Sequence, residues 1–236
     1  MSDIFSMADD FKKASSQIFE QAKSRKETLS KLLSKDESKM LTSALNGDLD
    51  IKELPSHLTN LYNNIRKMID DNAEALIEAG ALDKKFQIKD YLKRYYSNYL
   101  ENAEGNGKKY FDKFFKRENL THDERVALGM IEDADMVIPA TLAEQRTQLL
   151  KANFLKQVSD KYGVDEMLEG YVRMSDETVG GGIKKYGALG GKYVPKEVAK
   201  AIKSANVLRE ELGALESFIY PLVDHIKVNV TVKNPI

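Results

Sequence analysis

Residues 34–47 read SKDESKMLTSALNG, a stretch that marks both ends of one helix. Ser34 and Glu37 have the spacing of a capping box, in which hydroxyl and carboxylate each accept a hydrogen bond from a free backbone N–H. Asn46 and Gly47 at the other end are typical of a helix C-terminus. The stretch therefore predicts a short helix that ends at Leu45.

Helical patterns extend to both sides of this segment. Residues 8–33 contain neither glycine nor proline and carry a thin apolar stripe, which predicts a long polar helix that needs a partner. Apolar residues at helical spacing predict another helix from Pro55 to Gly80. Thr121 and Glu124 form a second capping box, from which a helix is predicted through Ile131.

The remaining segments complete a predicted all-α fold. Pro139 is expected at the first position of a further helix. Six of the 14 glycines lie between Gly180 and Gly191, in the least regular part of the chain. Apolar residues recur at nearly heptad spacing from Val198 to Leu222, and residues 226–232 alternate like a strand. The prediction is an irregular, elongated bundle of about seven or eight helices with a Gly-rich loop.

The predicted organisation has three parts. Residues 1–33 form a projecting polar helix, residues 34–225 a helical domain, and residues 226–236 an extended tail that ends as in a truncated protein. The chain has 236 residues, of which 42% are hydrophobic, enough for a sizeable core.

Composition excludes several kinds of site. The chain has no cysteine, which excludes disulfides and cysteine nucleophiles. Its three histidines are far apart in sequence, so we expect no metal site. We also expect no cofactor. No apolar run approaches the length of a membrane span, and the first residues lack a secretory pattern. These features together predict a soluble, intracellular protein.

Positive charge concentrates in the basic aromatic section, residues 84–117. Residues 84–118 carry 10 Lys and Arg against 5 Asp and Glu, and nine of the 20 aromatic residues lie between Phe86 and Phe115. Cations that contact phosphates and rings that stack on bases are a combination used by nucleic-acid-binding proteins. The candidate polyanion contacts are Lys84, Lys85, Lys89, Lys93, Arg94, Lys108, Lys109, Lys113, Lys116 and Arg117.

The same section allows a structural interpretation. Tyr91, Tyr95 and Tyr99 share one face if the segment is helical, which is typical of rings that pack in a core. The basic side chains would then be solvated. The two interpretations are compatible if the rings point inward.

Two other features could take part in binding or catalysis, but a structural interpretation is favoured for each of them. The Gly-rich loop Gly180–Lys192 could cradle a phosphate, yet it departs from the P-loop pattern at Tyr186 and Tyr193, which favours a tight turn. The acidic stretch Glu132–Asp135 could bind magnesium or transfer protons. A solvated or ion-paired helix end is favoured there, and His122 is expected to be solvated. No catalytic residue is predicted.

The apolar stripe after Pro195 could also bind a partner. Its candidate contacts are Leu208, Leu212, Leu215 and Ile219. Such a face supports self-association or docking of another protein. The alternative, which the pattern favours, is that the stripe faces the core of the bundle.

Four stretches together resemble a known family. They are Leu76–Leu82 followed by Tyr91–Tyr96, then Glu124–Asp133, Thr141–Glu144, and Tyr186–Pro195. In this order they resemble a region of the very large polyvalent proteins of bacteriophages and conjugative elements. The resemblance spans about residues 36–235, and the run Gly180–Gly182 is extra to the family pattern.

The resemblance implies a context for the chain. Polyvalent proteins are thought to enter the recipient cell with DNA, and some are linked to antirestriction or resemble internal virion proteins. It implies no catalytic residue. The resemblance thus implies a non-enzymatic, DNA-associated or injected protein of a phage or mobile element. Its expected location is a virion or the host cytoplasm. The alternatives are a structural virion or scaffold module with protein partners, and an enzyme that uses the Gly-rich loop.

Overall fold

The computed structural model describes residues 2–82, 84, 92–96, 120–179 and 183–204. Six α-helices account for most of these described residues, which confirms the predicted all-α class. They are α1 (Ser2–Leu32), α2 (Lys35–Leu45), α3 (Ser56–Glu78), α4 (His122–Ala127), α5 (Ala134–Tyr162) and α6 (Lys196–Ser204). None of these helices combines the length and the apolar character needed to cross a membrane.

Four short strands lie in the segment that was predicted to be irregular. Strand β1 (Tyr171–Arg173) pairs antiparallel with β4 (Tyr193–Pro195), in a register that places Val172 opposite Val194. Strand β2 (Thr178–Val179) pairs antiparallel with β3 (Ile183–Lys184). These small sheets add to the helical fold and lead the chain into α6.

Both predicted capping boxes are present. At the start of α2 the Ser34 backbone N–H donates to Glu37 Oε2 (2.8 Å), and the Glu37 N–H donates to Ser34 Oγ (3.3 Å). Thr121 and Glu124 make the same pair of bonds before α4. Gly47 follows α2 with φ +79°, a conformation that a side chain would strain.

Glu37 makes the start of α2 sensitive to acid. Hydrogen bonds from Ser34, with a further one from His57 Nε2 at 2.6 Å, lower the pKa of the Glu37 carboxyl from 4.5 to about 2. Because the pKa is lower in the folded protein, this stabilisation is complete above about pH 4.5 and is lost as the pH falls toward 2. We expect Glu37→Gln to destabilise the protein near neutral pH and to flatten its stability in acid, as measured by urea unfolding.

A substitution on the exposed side of α1 provides the control for this prediction. Glu20→Gln removes a carboxylate from an exposed helical position without touching a cap. It should leave both the stability and its acid dependence close to wild type. If Glu37→Gln behaves in the same way, the Glu37 contacts do not stabilise the fold.

The start of α5 corrects one prediction. The helix begins at Ala134, so Pro139 is its sixth residue and not its first. Ser38 Oγ, from α2, accepts the Ala134 N–H at 2.7 Å and so caps the helix from a distant part of the sequence. A pattern read along one segment cannot show such a cap. The helix predicted through Ile131 also ends earlier, at Ala127.

The chain divides into two compact units. The first comprises Met1–Ala22, Lys67–Lys89 and Leu142–Ala214. The ring centroids of Phe11 and Phe154 lie 5.2 Å apart in its core. The other buried residues of this core are Ile4, Ala8, Leu155, Val158, Met174, Tyr186, Leu189, Val194, Val198, Ala199, Ala201 and Ile202. The first turns of α1 thus pack into a core, where the sequence suggested a projecting helix.

The described residues of the second unit lie within the ranges Lys23–Arg66 and Asp90–Thr141. Arg66 Nη2 donates to the Leu45 carbonyl at 2.7 Å, which satisfies an acceptor at the end of α2. Leu41, Leu45 and Ile138 are among its fully buried side chains. The predicted tail, residues 226–236, lies outside the described residues.

Candidate polyanion-binding site

The structure describes three of the ten predicted polyanion contacts. Lys84 is exposed, whereas Lys93 and Arg94 are half-buried. The other seven lie outside the described residues: Lys85, Lys89, Lys108, Lys109, Lys113, Lys116 and Arg117. The four predicted partner contacts, Leu208, Leu212, Leu215 and Ile219, also lie outside them.

Residues 92–96 show which side chains of the basic aromatic section are buried and which keep contact with solvent. Leu92 and Tyr95 are 0% and 6% exposed, while Lys93 and Arg94 between them keep part of their surface in solvent. Lys93 Nζ lies 5.4 Å from the centroid of the Tyr95 ring. The Tyr95 ring therefore packs inward, as the structural interpretation expected, whereas Tyr96 is only half-buried.

The backbone of this segment corrects the helical prediction for it. Residues 92–96 are not helical, and Tyr96 forms an isolated antiparallel bridge with Met130. The Ile131 N–H donates to the Tyr95 carbonyl at 2.8 Å. Pairing with a distant segment replaces the internal hydrogen bonds of a helix here. The bridge at Tyr96 therefore fixes the position of the backbone at Arg94, two residues earlier, within the second unit.

An ionic cluster lies in the same unit and consists of Lys39, Asp48, His122, Arg125 and Glu132. The Arg125 side chain is 8% exposed and its Nη2 pairs with Asp48 Oδ1, whose side chain is 17% exposed. His122 lies 3.4 Å from Asp48 Oδ2 through Nδ1 and 3.3 Å from Glu132 Oε1 through Nε2. Lys39 Nζ lies 3.7 Å from Glu132. The cluster joins helices α2 and α4 to the loop before α5.

These contacts correct the prediction that His122 is solvated. They also show the role of one residue of the acidic stretch Glu132–Asp135. Glu132 is ion-paired, in agreement with the favoured interpretation. The two carboxylates face opposite nitrogens of the His122 ring, so they do not converge on one point. The described residues contain no group of His, Asp and Glu side chains arranged to hold a metal ion.

Arg94 lies beside this cluster but does not join its ion pairs. Burial and the nearby positive charge of Arg125 lower the pKa of the Arg94 guanidinium, and the charge of Asp48 partly offsets them. Within the described ranges, Arg94 makes no hydrogen bond or ion pair, and its Nε is buried without an acceptor. Asp48 already engages Arg125 with one oxygen and His122 with the other.

The Gly-rich loop offers few free backbone donors in its described part. The N–H groups of Leu189, Gly190 and Lys192 donate to carbonyls within the loop, at 2.9, 3.0 and 3.0 Å. Those of Lys185 and Gly191 donate to carbonyls of Glu177 and Met174. Because these donors are already used, the geometry favours the tight-turn interpretation over a phosphate cradle. Gly180–Gly182 lie outside the described residues.

Sequence reasoning predicted Arg94 as a polyanion contact but did not predict the charges around it. Arg125 and Asp48 are 77 positions apart, and each reads locally as an ordinary polar residue near a helix end. The capping box at Thr121 was the one local signal, since it places α4 and therefore Arg125. Only the fold brings these residues together.

Comparison of the chain with protein-family models, with curated proteins and with solved structures finds no match in any of the three. The functional argument therefore uses the chain's own residues. Its strongest element is the arrangement at residues 92–96, where Lys93 and Arg94 keep part of their surface in solvent beside the buried Leu92 and Tyr95.

Proposed function

We propose that the chain is a non-enzymatic phage or mobile-element protein that contacts DNA through the basic aromatic section. The observation that carries the proposal is the separation seen at residues 92–96. There Leu92 and Tyr95 are buried, while Lys93, Arg94 and Tyr96 are half-buried, so both cations keep part of their surface in solvent. The resemblance to polyvalent proteins supplies the context, DNA that enters a cell from a virion or a donor.

The proposed contact is electrostatic. Lys and Arg side chains that neutralise phosphates release condensed counterions, and this release drives binding without reading the bases. Tyr95 is buried and so cannot stack on a base. We therefore assign the contact to the cations of the section and not to Tyr95.

The salt dependence of binding tests this proposal. We expect fluorescence anisotropy to show that a labelled duplex binds at roughly 50 mM salt and binds about a hundredfold more weakly at roughly 200 mM, as for four phosphate contacts. A labelled single strand should behave similarly, because the contact reads no sequence. Absence of binding at the lower salt would contradict the proposal.

Charge reversal locates the contact. Lys93→Glu combined with Arg94→Glu should weaken binding and reduce its salt dependence, because about two phosphate contacts are lost. Lys35→Glu combined with Lys52→Glu is the matched control, since both lysines are exposed in the same unit but outside the basic aromatic section. Equal loss in the two variants would indicate a general charge effect and would count against this surface.

The alternative function is a structural virion or scaffold module that associates through its helical faces. The described start of the apolar stripe argues for an internal role, because Val198 and Ile202 are buried in the core of the first unit. The remaining positions of that stripe lie outside the described residues. We therefore place DNA contact before self-association.

A further inference from the structure

We propose that Arg94 is an anchor for a single phosphate group, which its guanidinium holds by paired hydrogen bonds. The inference deepens the DNA contact proposed above and rests on it for the natural ligand, a phosphate of the DNA backbone. It differs from that contact in kind. Counterion release needs only positive charge, whereas an anchor needs a guanidinium at one position.

The first argument is the missing partner of a half-buried cation. Charged side chains removed from water are normally paired or fully hydrogen-bonded. In the described part of the structure Arg94 has neither kind of contact, and its Nε is shielded from solvent without an acceptor. Asp48 makes no hydrogen bond to Arg94, and its two oxygens contact Arg125 and His122. No described residue therefore provides Arg94 with an anionic hydrogen-bond partner.

The second argument is the local charge balance. In the cluster and at Arg94 the described residues present three permanent cations, Lys39, Arg94 and Arg125. Two carboxylates, Asp48 and Glu132, oppose them. Arg125 is too deeply buried to touch a ligand, but its charge adds to the positive potential at Arg94. Because burial weakens screening by salt, this excess attracts an anion more strongly than an exposed lysine does.

The third argument is the shape of the donor. A guanidinium presents a planar fork of N–H groups that matches two oxygens of a phosphate, whereas an ammonium acts as a point charge. The bridge between Tyr96 and Met130 and the bond from Ile131 to Tyr95 fix the backbone beside Arg94. A fixed backbone leaves less freedom to lose on binding. These features favour phosphate over a diffuse ion atmosphere.

Thermal unfolding of the full chain tests the anchor directly. At matched ionic strength, we expect inorganic phosphate to raise the melting temperature above its value in chloride by about 3 °C, since a ligand of the native state stabilises it. Arg94→Gln should abolish this difference. Arg94→Lys, which keeps the charge but removes the fork, should lose most of it. Lys52→Gln should retain it.

The outcomes separate an anchor from general electrostatics. If phosphate and chloride act alike on the wild type, or if Arg94→Gln keeps the full difference, Arg94 is not an anchor. If Arg94→Lys keeps the full difference, charge alone acts and the fork is irrelevant, which also overturns the inference. The melting temperatures in chloride show that each variant is folded.

DNA binding by the same variants distinguishes this inference from the proposed function. If Arg94→Lys weakens duplex binding severalfold while Lys52→Gln does not, the backbone phosphate is the ligand. A duplex that binds equally to wild type and Arg94→Lys leaves the proposed function standing and overturns the anchor. A protein that binds phosphate through Arg94 but binds no DNA retains the anchor, for a free phosphate, and refutes the proposed function.

Discussion

Replacing Arg125 with methionine is expected to lower the free energy of unfolding by about 3–5 kcal/mol. The Arg125 side chain is 8% exposed and pairs with Asp48, which is itself 17% exposed. Its Nη1 also donates to the Leu120 carbonyl at 2.9 Å. Methionine keeps much of the length of the side chain but leaves a shielded carboxylate and a carbonyl without this donor. The cost therefore comes from desolvated groups that have lost a partner.

Urea unfolding followed by circular dichroism measures this effect. A loss of this size corresponds to a fall in melting temperature of about 6–15 °C for a chain of this length. Lys67→Met is the matched control, because Lys67 pairs with Asp71 at 2.8 Å with both side chains largely exposed. An exposed pair contributes little, so this variant should stay close to wild type. Equal effects of the two substitutions would mean that burial of the Arg125 pair has no energetic consequence.

A second substitution tests whether the lost partner is the cause. Asp48→Asn in the Arg125→Met background removes the carboxylate charge that methionine leaves unpaired. We expect the double variant to be more stable than Arg125→Met alone, since a neutral amide is less costly to shield than a carboxylate. Additive losses would instead indicate that the two residues stabilise the fold independently.

Local signals explain which parts of the fold the sequence could predict. The bonds of a capping box join residues three positions apart, so Ser34 and Glu37 are sufficient to mark the start of α2. The same holds for Thr121 and α4. Gly47 and Gly80 both adopt positive φ at the ends of predicted helices. The helical class follows from such local features.

Contacts between distant residues explain the errors. Ser38 caps α5 from α2, so the helix begins before Pro139, although the proline itself suggested a start. Residues 92–96 pair with the segment at Met130 and are not helical, although Tyr91, Tyr95 and Tyr99 have helical spacing. The charged groups around Arg94 are another case in which distant contacts matter. Arg94 was predicted from composition, but its surroundings depend on residues far away in sequence.

The packing of α1 gives the second large expected effect. Phe11 is 4% exposed, and its ring centroid lies 5.2 Å from that of Phe154, at an interplanar angle of 49°. Tilted aromatic pairs at this distance add to the free energy gained by burial. Phe11→Ala removes the ring and leaves a cavity beside Phe154. We expect it to lower the free energy of unfolding by about 3–5 kcal/mol, as measured by urea unfolding.

Phe5 provides a control on the same helix, because its side chain is 57% exposed. Phe5→Ala changes the same chemical group with the same change in helix propensity, but it removes little buried surface. We expect a loss below about 1 kcal/mol. A projecting helix would make both phenylalanines solvent-exposed, so the two substitutions would then have similarly small effects. A large difference between them means that the first turns of α1 belong to a core and that truncating them would destabilise it.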